Sequence, residues 1–311
     1  MNNFHIFNAL NFSMSTTIPN PNACYPITDL IVRRLHIDLS KGFPRFWNGN
    51  DAFRTAFANA LSMSFPFGEQ FFIDAVKAGL KHLPDTAENQ ALRDGLKKFI
   101  GQEATHRQIH KLYNAQLEKQ GYRNSWEPRV ARRIEIERNR MTRKGVEKMY
   151  MHELAITCAV EHLTAVLGDI TLSRQGDTHD WFYNTCEPMK TLWHWHAAEE
   201  SEHKSMAFDL YMGLGGEQRL RMHWYYRFLL LFVLDLTRQT SYNLWRDGTW
   251  KYPSTWKSGV KFVWGRHGLV RSTWAQLKDY ARADFHPQQQ GDNAFAQNWL
   301  NSNQAHWSAV S

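Results

Sequence analysis

In the stretch FIGQEATHRQIH, residues 99–110, a helix turning roughly 100° per residue places Phe99, Glu103, His106 and His110 in one narrow stripe. Extended both ways, the stripe reads Leu92, Leu96, Phe99, Glu103, His106, His110, Tyr113, Leu117, apolar at its ends and ionisable in its middle. A second stripe, Trp193, His196, Glu200, His203, Ala207, Leu210, Leu214, repeats the anomaly. A third, Leu154, Cys158, Glu161, Ala165, Gly168, Leu172, carries a single acid, and Glu69 shares a face with Phe72 and Val76. Unpaired carboxylates at such positions cost several kcal/mol, so something must compensate them.

In chain order the set is Glu69; Glu103 with His106; Glu161; Glu200 with His203. This is Glu, Glu-x-x-His, Glu, Glu-x-x-His on four helices, the pattern with which a four-helix bundle holds two carboxylate-bridged metals. Residues at i and i+3 lie one turn apart on one face, so the Glu can bridge two metals while the His holds one. Two divalent cations balance four carboxylates. Taken singly, Glu69 is equally readable as a structural acid paired with Arg, and short Glu-x-x-His matches arise by chance in a chain with 15 His. His196, one turn before Glu200, is a ligand or a donor that orients a carboxylate, and His110 is favoured as the orienting donor. Glu199 lies at the edge of the seam and competes with Glu200. Glu202, His162 and His194 point away, as surface or packing residues.

These positions require long helices. The pattern predicts helices near 50–62, 67–82, 86–120, 129–173 with a break, and 186–213, ended by Gly or Pro signals, with Pro66 interrupting the first region. The expected division is a flexible arm over 1–28, a helical bundle over 29–216 that begins with a short irregular strand or strap, an aromatic-rich helical extension over 217–287 and a flexible tail over 288–311. The expected fold class is all-α.

Composition narrows the function. The net charge is +7, but the run RVARRIEIERNRMTRKGVEK interleaves acids with its bases and reads as a solvated helix face with local ion pairs, so no nucleic-acid partner is expected. Three widely spaced cysteines give no disulfide framework. No signal peptide is visible, which with the cysteine usage points to the cytoplasm. The longest apolar run, FLLLFVL, is too short to span a bilayer. Its basic, aromatic surroundings suit a helix covering the bundle, a homodimer interface, or peripheral contact with the inner membrane.

The motifs NALSMSFPFGEQFF, FIGQEATHRQIHKLYNAQL, AVEHLTAVLGD, LWHWHAAEESEHKSMAFDLY and WGRHGLVRSTWAQLKDYARADFHP resemble the bacterial family of predicted metal-dependent hydrolases, a resemblance covering most of residues 30–287. It implies a ferritin-like fold. The ligand order also resembles the ferritin-like di-iron carboxylate oxygenases. Among them are arylamine N-oxygenases, in which an additional metal-binding His stands one turn before the last Glu-x-x-His, as His196 does here.

The expectation is therefore an oxidoreductase holding two iron ions, with Mn or Zn as alternatives, which takes electrons from a donor protein or reductant. With O2 as co-substrate it would N-oxygenate, hydroxylate or desaturate a small apolar or aromatic substrate. A dinuclear metal-dependent hydrolase is the alternative, and a non-enzymatic metal-binding protein the second alternative.

Overall fold

A computed structural model describes residues 30–310. The arm expected over 1–28 lies outside the described residues. Among the described residues, ten α-helices and one two-stranded sheet form an all-α bundle: β1 (Arg33–Leu35), α1 (Ala52–Leu80), α2 (Ala87–Lys119), α3 (Trp126–Arg143), α4 (Met149–Ser173), α5 (Glu187–His203), α6 (Met206–Gly213), α7 (Gln218–Asp247), α8 (Pro253–Trp264), α9 (Leu269–Asp279), α10 (Asn293–Ser302) and β2 (Trp307–Ala309). Helix α1 packs on α2, α4 packs on α5, and α1 and α4 meet, so the four long helices that carry the acids surround one axis. Helix α7 lies across α1 and α4 and buries Trp224, Tyr225, Leu236 and Leu244 while exposing Tyr226, Leu230, Val233 and Leu234.

Helix α1 starts where the Asp51 carboxylate accepts the Arg54 N–H at 3.0 Å. It does not stop at Pro66, contrary to expectation. A proline leaves the carbonyl four residues back without its helical donor, and here the Asn114 amide donates to the Ser62 carbonyl at 2.9 Å while that of Asn124 donates to Met63 at 2.8 Å. With those carbonyls satisfied, α1 runs through to Leu80 and carries Glu69 in mid-helix.

The helix expected over 186–213 is instead two helices, divided just after His203. Lys204 at the break is buried, and its ammonium donates to the Gln290 carbonyl at 2.6 Å and to Asn293 Oδ1 at 2.8 Å. The tail expected to be flexible over 288–311 contains α10, which packs on α5 through buried Ala296, Trp299 and Leu300. Their i, i+3, i+4 spacing is an apolar stripe that a polar composition conceals. Beyond it β2 pairs antiparallel with β1, in the register Arg33 to Ala309 and Leu35 to Trp307. Two glycines permit close approaches: a Cβ on Gly101 would lie 2.6 Å from Val32 Cγ2, where the strap crosses α2, and one on Gly168 would lie 2.8 Å from the Ala197 carbonyl, where α4 meets α5.

Candidate metal centre

The four long helices bring the expected residues together at mid-bundle. Glu69 comes from α1, Glu103 and His106 from α2, Glu161 from α4, and His196, Glu200 and His203 from α5, each at most 4 % exposed. Donor atoms of Glu103, His106, Glu200 and His203 all lie within 4.8 Å of one another, as do those of Glu69, His106 and His196. Glu161 falls in neither group but joins them through His203, whose Nδ1 lies 3.0 Å from Glu161 Oε2 while its Nε2 faces Glu103 Oε1 at 3.4 Å.

The test of whether this cluster fits a metal is the state of its polar atoms. Both oxygens of Glu69, both of Glu103, Oε1 of Glu161, Oε2 of Glu200, Nδ1 of His106, Nε2 of His196 and Nε2 of His203 are buried with no hydrogen-bond partner. Buried polar groups are normally paired, so this many orphans aimed at one place fit a site that could hold a metal ion. Burial holds the carboxyl groups of Glu69 and Glu103 well above the usual carboxylate range, and neighbouring acids add to the effect. Burial likewise raises Glu161 to about 7, against the pull of His203. Glu200 moves the other way: burial would raise it, but the neighbouring imidazoles of His203, His106 and His196 outweigh burial and hold it well below.

The surrounding shell assigns the imidazole protons. Glu199 Oε2 accepts from His106 Nε2 at 2.9 Å, which leaves His106 Nδ1 facing Glu200 Oε1 at 3.5 Å. On the other side, the Ser62 hydroxyl donates to Asn114 Oδ1 at 2.9 Å and so must accept from His110 Nδ1, also at 2.9 Å. Burial depresses His110 well below its ordinary value, keeping the ring neutral. Its Nε2 then has only a lone pair, which accepts from His196 Nδ1 at 2.8 Å. His196, lowered to about 4 chiefly by burial, therefore turns a bare Nε2 inward, 2.9 Å from Glu200 Oε1. Two acceptors this close ask for a cation between them. Both ring nitrogens of His110 are occupied, so it orients His196.

Glu199 does not compete with Glu200. It is drawn to the outer side of α5, where Arg33 donates to its Oε1 at 3.2 Å. Glu202 is not a surface residue: both of its oxygens accept from Arg33, at 3.1 and 2.6 Å, and it takes further bonds from Gln102 and Gln297. His162 and His194 are also buried, 3 % and 1 % exposed, which corrects the surface alternative for both. His162 Nε2 lies 3.2 Å from the Gln276 carbonyl and its ring stacks on Tyr280. Sequence reasoning missed Ser62, Asn114, Gln102 and Arg33. Asn114 follows His110 at i+4, a readable signal; Arg33, in the strap, offered none.

Two apolar cavities adjoin the centre. One of about 70 Å³ has His196 and Glu200 in its wall beside Phe65, Phe182 and Trp193, and a larger one of about 180 Å³ lies between α1, α3, α4 and α7.

No curated protein and no solved structure matches the chain. Residues 31–291, which contain every donor atom of the centre, match a family described as "Predicted metal-dependent hydrolase". A match over most of the chain, carrying a buried Glu/His cluster that could hold a metal ion, places this protein in that family of predicted metal-dependent hydrolases.

Proposed function

We propose that the chain is a ferritin-like dinuclear metal enzyme whose ligands are Glu69, Glu103, His106, Glu161, His196, Glu200 and His203. We further propose that it holds iron and oxidises an apolar substrate with O2. The observation that carries this reading is the set of orphaned carboxylate oxygens and imidazole nitrogens converging from four helices. An oxygen-rich donor set with imidazole suits redox iron or manganese better than structural zinc, which favours thiolates. Iron bound there would supply the electrons and the open coordination positions that O2 activation needs.

The protein's own part is to position and to exclude. Glu199 keeps the proton of His106 on Nε2, and the Asn114–Ser62–His110 relay keeps that of His196 on Nδ1, so both rings present a lone pair inward. Glu103 and Glu200, one turn from their histidines, would hold the metals together with Glu69 and Glu161. The apolar side chains that line the adjoining cavities suit an apolar substrate, which supports oxidation of such a substrate.

A second reading, metal-dependent hydrolysis, is favoured by the description of the family. There the same carboxylates would hold two cations that activate water for ester or phosphate cleavage. One experiment separates the two: metal-free protein is loaded anaerobically with Fe(II), O2 is admitted, and metal content, O2 uptake and visible absorbance are followed. Stoichiometric O2 uptake with a coloured transient supports oxidation. Two bound metals without O2 uptake, together with ester or phosphoester turnover in the Zn- or Mn-loaded chain, would establish hydrolysis instead.

A further inference from the structure

The turn of α1 that aims Glu69 at the centre also builds a wall of the larger cavity, with Phe65, Gly68 and Phe72. Helix α3 covers this space with Val130 and Ile134, α4 contributes Ile156 and Val160, and α7 contributes Phe228 and Leu231. The cavity of about 180 Å³ exceeds the roughly 150 Å³ hollow that holds a benzene molecule in an engineered protein.

The smaller cavity, with His196 and Glu200 in its wall, shares Leu61, Phe65, Thr164 and Leu167 with the larger one. The two spaces are consecutive, and Phe65 is the partition: its ring centroid lies 4.6 Å from that of His110 and 4.6 Å from that of His196.

The charged side chains along the larger cavity are engaged with one another. Arg133 pairs with Asp235 at 2.9 Å, Arg227 with Glu137 at 2.9 Å, and Arg138 with Glu153 at 2.7 Å, while Glu127 accepts from Asn124 at 3.3 Å. These pairs tie α3 down over the apolar space and leave Glu127 as the carboxylate held by a neutral amide, so no unpaired cation of this lining remains for an anionic head group.

We propose that the space between α1, α3, α4 and α7 binds an uncharged aliphatic chain of medium length, with its reacting end at Phe65 beside His196 and Glu200. The inference rests on the dinuclear reading of the centre and adds the substrate class. Continuity with the wall of the centre supports this occupant, as does the mutual neutralisation of the charges. Phe65 then sets how far the chain reaches, and Gly68, with no side chain, leaves room for it.

The test uses the full chain loaded with Zn(II) or Co(II) and the uncharged fluorophore N-phenyl-1-naphthylamine, displaced by straight-chain primary alcohols from butanol to dodecanol and by the matching carboxylates. Alcohol affinity should rise about fourfold per methylene until the cavity is filled. The carboxylate of equal length should bind about a hundredfold more weakly, because its charge would be desolvated without a partner. Gly68→Leu, which fills the cavity from a helical position where a Cβ meets nothing nearer than 3.6 Å, should weaken binding about tenfold. Ile134→Trp, which fills it from α3, should do the same if Gly68→Leu does not fold. Phe65→Ala should shift the best alcohol to longer chains. Carbon-13 at the end of the bound alcohol nearest the centre should relax faster in the Co(II) protein than in the Zn(II) protein.

Equal affinity for alcohol and carboxylate, or unchanged binding in both filled variants, would overturn the proposal. Metal content, measured on the same samples, keeps the two readings apart. Two metals per chain without alcohol binding refutes the chain-binding cavity alone. Alcohol binding that both filled variants weaken, in a chain that takes up no metal, refutes the dinuclear centre and with it the placement of the chain's reacting end.

Discussion

Helix α5 carries two buried clusters on neighbouring faces, and they are satisfied in opposite ways. On one side Glu199 and Glu202 have a partner for every carboxylate oxygen, chiefly the guanidinium of Arg33, with His106, Gln102 and Gln297 supplying the rest. On the other side Glu200 and His203 join Glu69, Glu103 and Glu161 around a space where oxygen after oxygen has none. Burial and residue types are alike; the difference is where the positive charge comes from. The first cluster has its cation in the sequence. The second has no such cation among the described residues, and under the proposed function it takes its cations from solution.

The comparison can be broken from its satisfied side. Arg33→Met should leave Glu199 and Glu202 buried without their cation and cost about 3–5 kcal/mol in chemical denaturation. A loss below about 1 kcal/mol would mean that Arg33 is not the internal cation. The unsatisfied side should respond to metal instead. Free Fe(II) or Mn(II) at 100 times its dissociation constant should stabilise the chain by about 2.7 kcal/mol in thermal melts, and Glu103→Gln should abolish that gain without destabilising the metal-free protein. Loading near neutral pH should also release protons. Glu69 and Glu103 are held above the usual carboxylate range, so they keep their protons in the metal-free chain and lose them to the cation, which an indicator dye would register.

Two smaller effects sharpen the geometry. Gly168→Ala should push α4 from α5, cost about 1–3 kcal/mol and weaken metal loading, because Glu161 and His203 face each other across that contact. Asn114→Ala should cost about 1 kcal/mol by leaving the Ser62 carbonyl beside Pro66 without a donor. It should also weaken metal affinity by about tenfold, by releasing the His110 relay.

The convergence of the site was readable because helical periodicity is a short-range rule: acids one turn from histidines in otherwise apolar rows announce a shared face wherever the helices lie. What periodicity could not supply were partners from distant segments. Pro66 reads as a helix breaker until Asn114 and Asn124 are seen to satisfy the carbonyls it frees. Glu202 reads as a surface or packing residue until Arg33 arrives from a strand whose pairing partner is at the other end of the chain. The residues from 288 on read as a tail because their apolar positions, among them the stripe of Ala296, Trp299 and Leu300, are scattered through a polar setting, enough for one helix face and too few to dominate composition. In each case a local pattern was overruled by a contact more than 40 residues away.

The most direct test of the dinuclear centre is anomalous X-ray diffraction at the iron edge from crystals of the Fe(II)-loaded chain. Two anomalous peaks are expected, enclosed by α1, α2, α4 and α5, one near His106 and one near His203. No peak at that position, or iron bound only at surface histidines, would contradict the dinuclear centre.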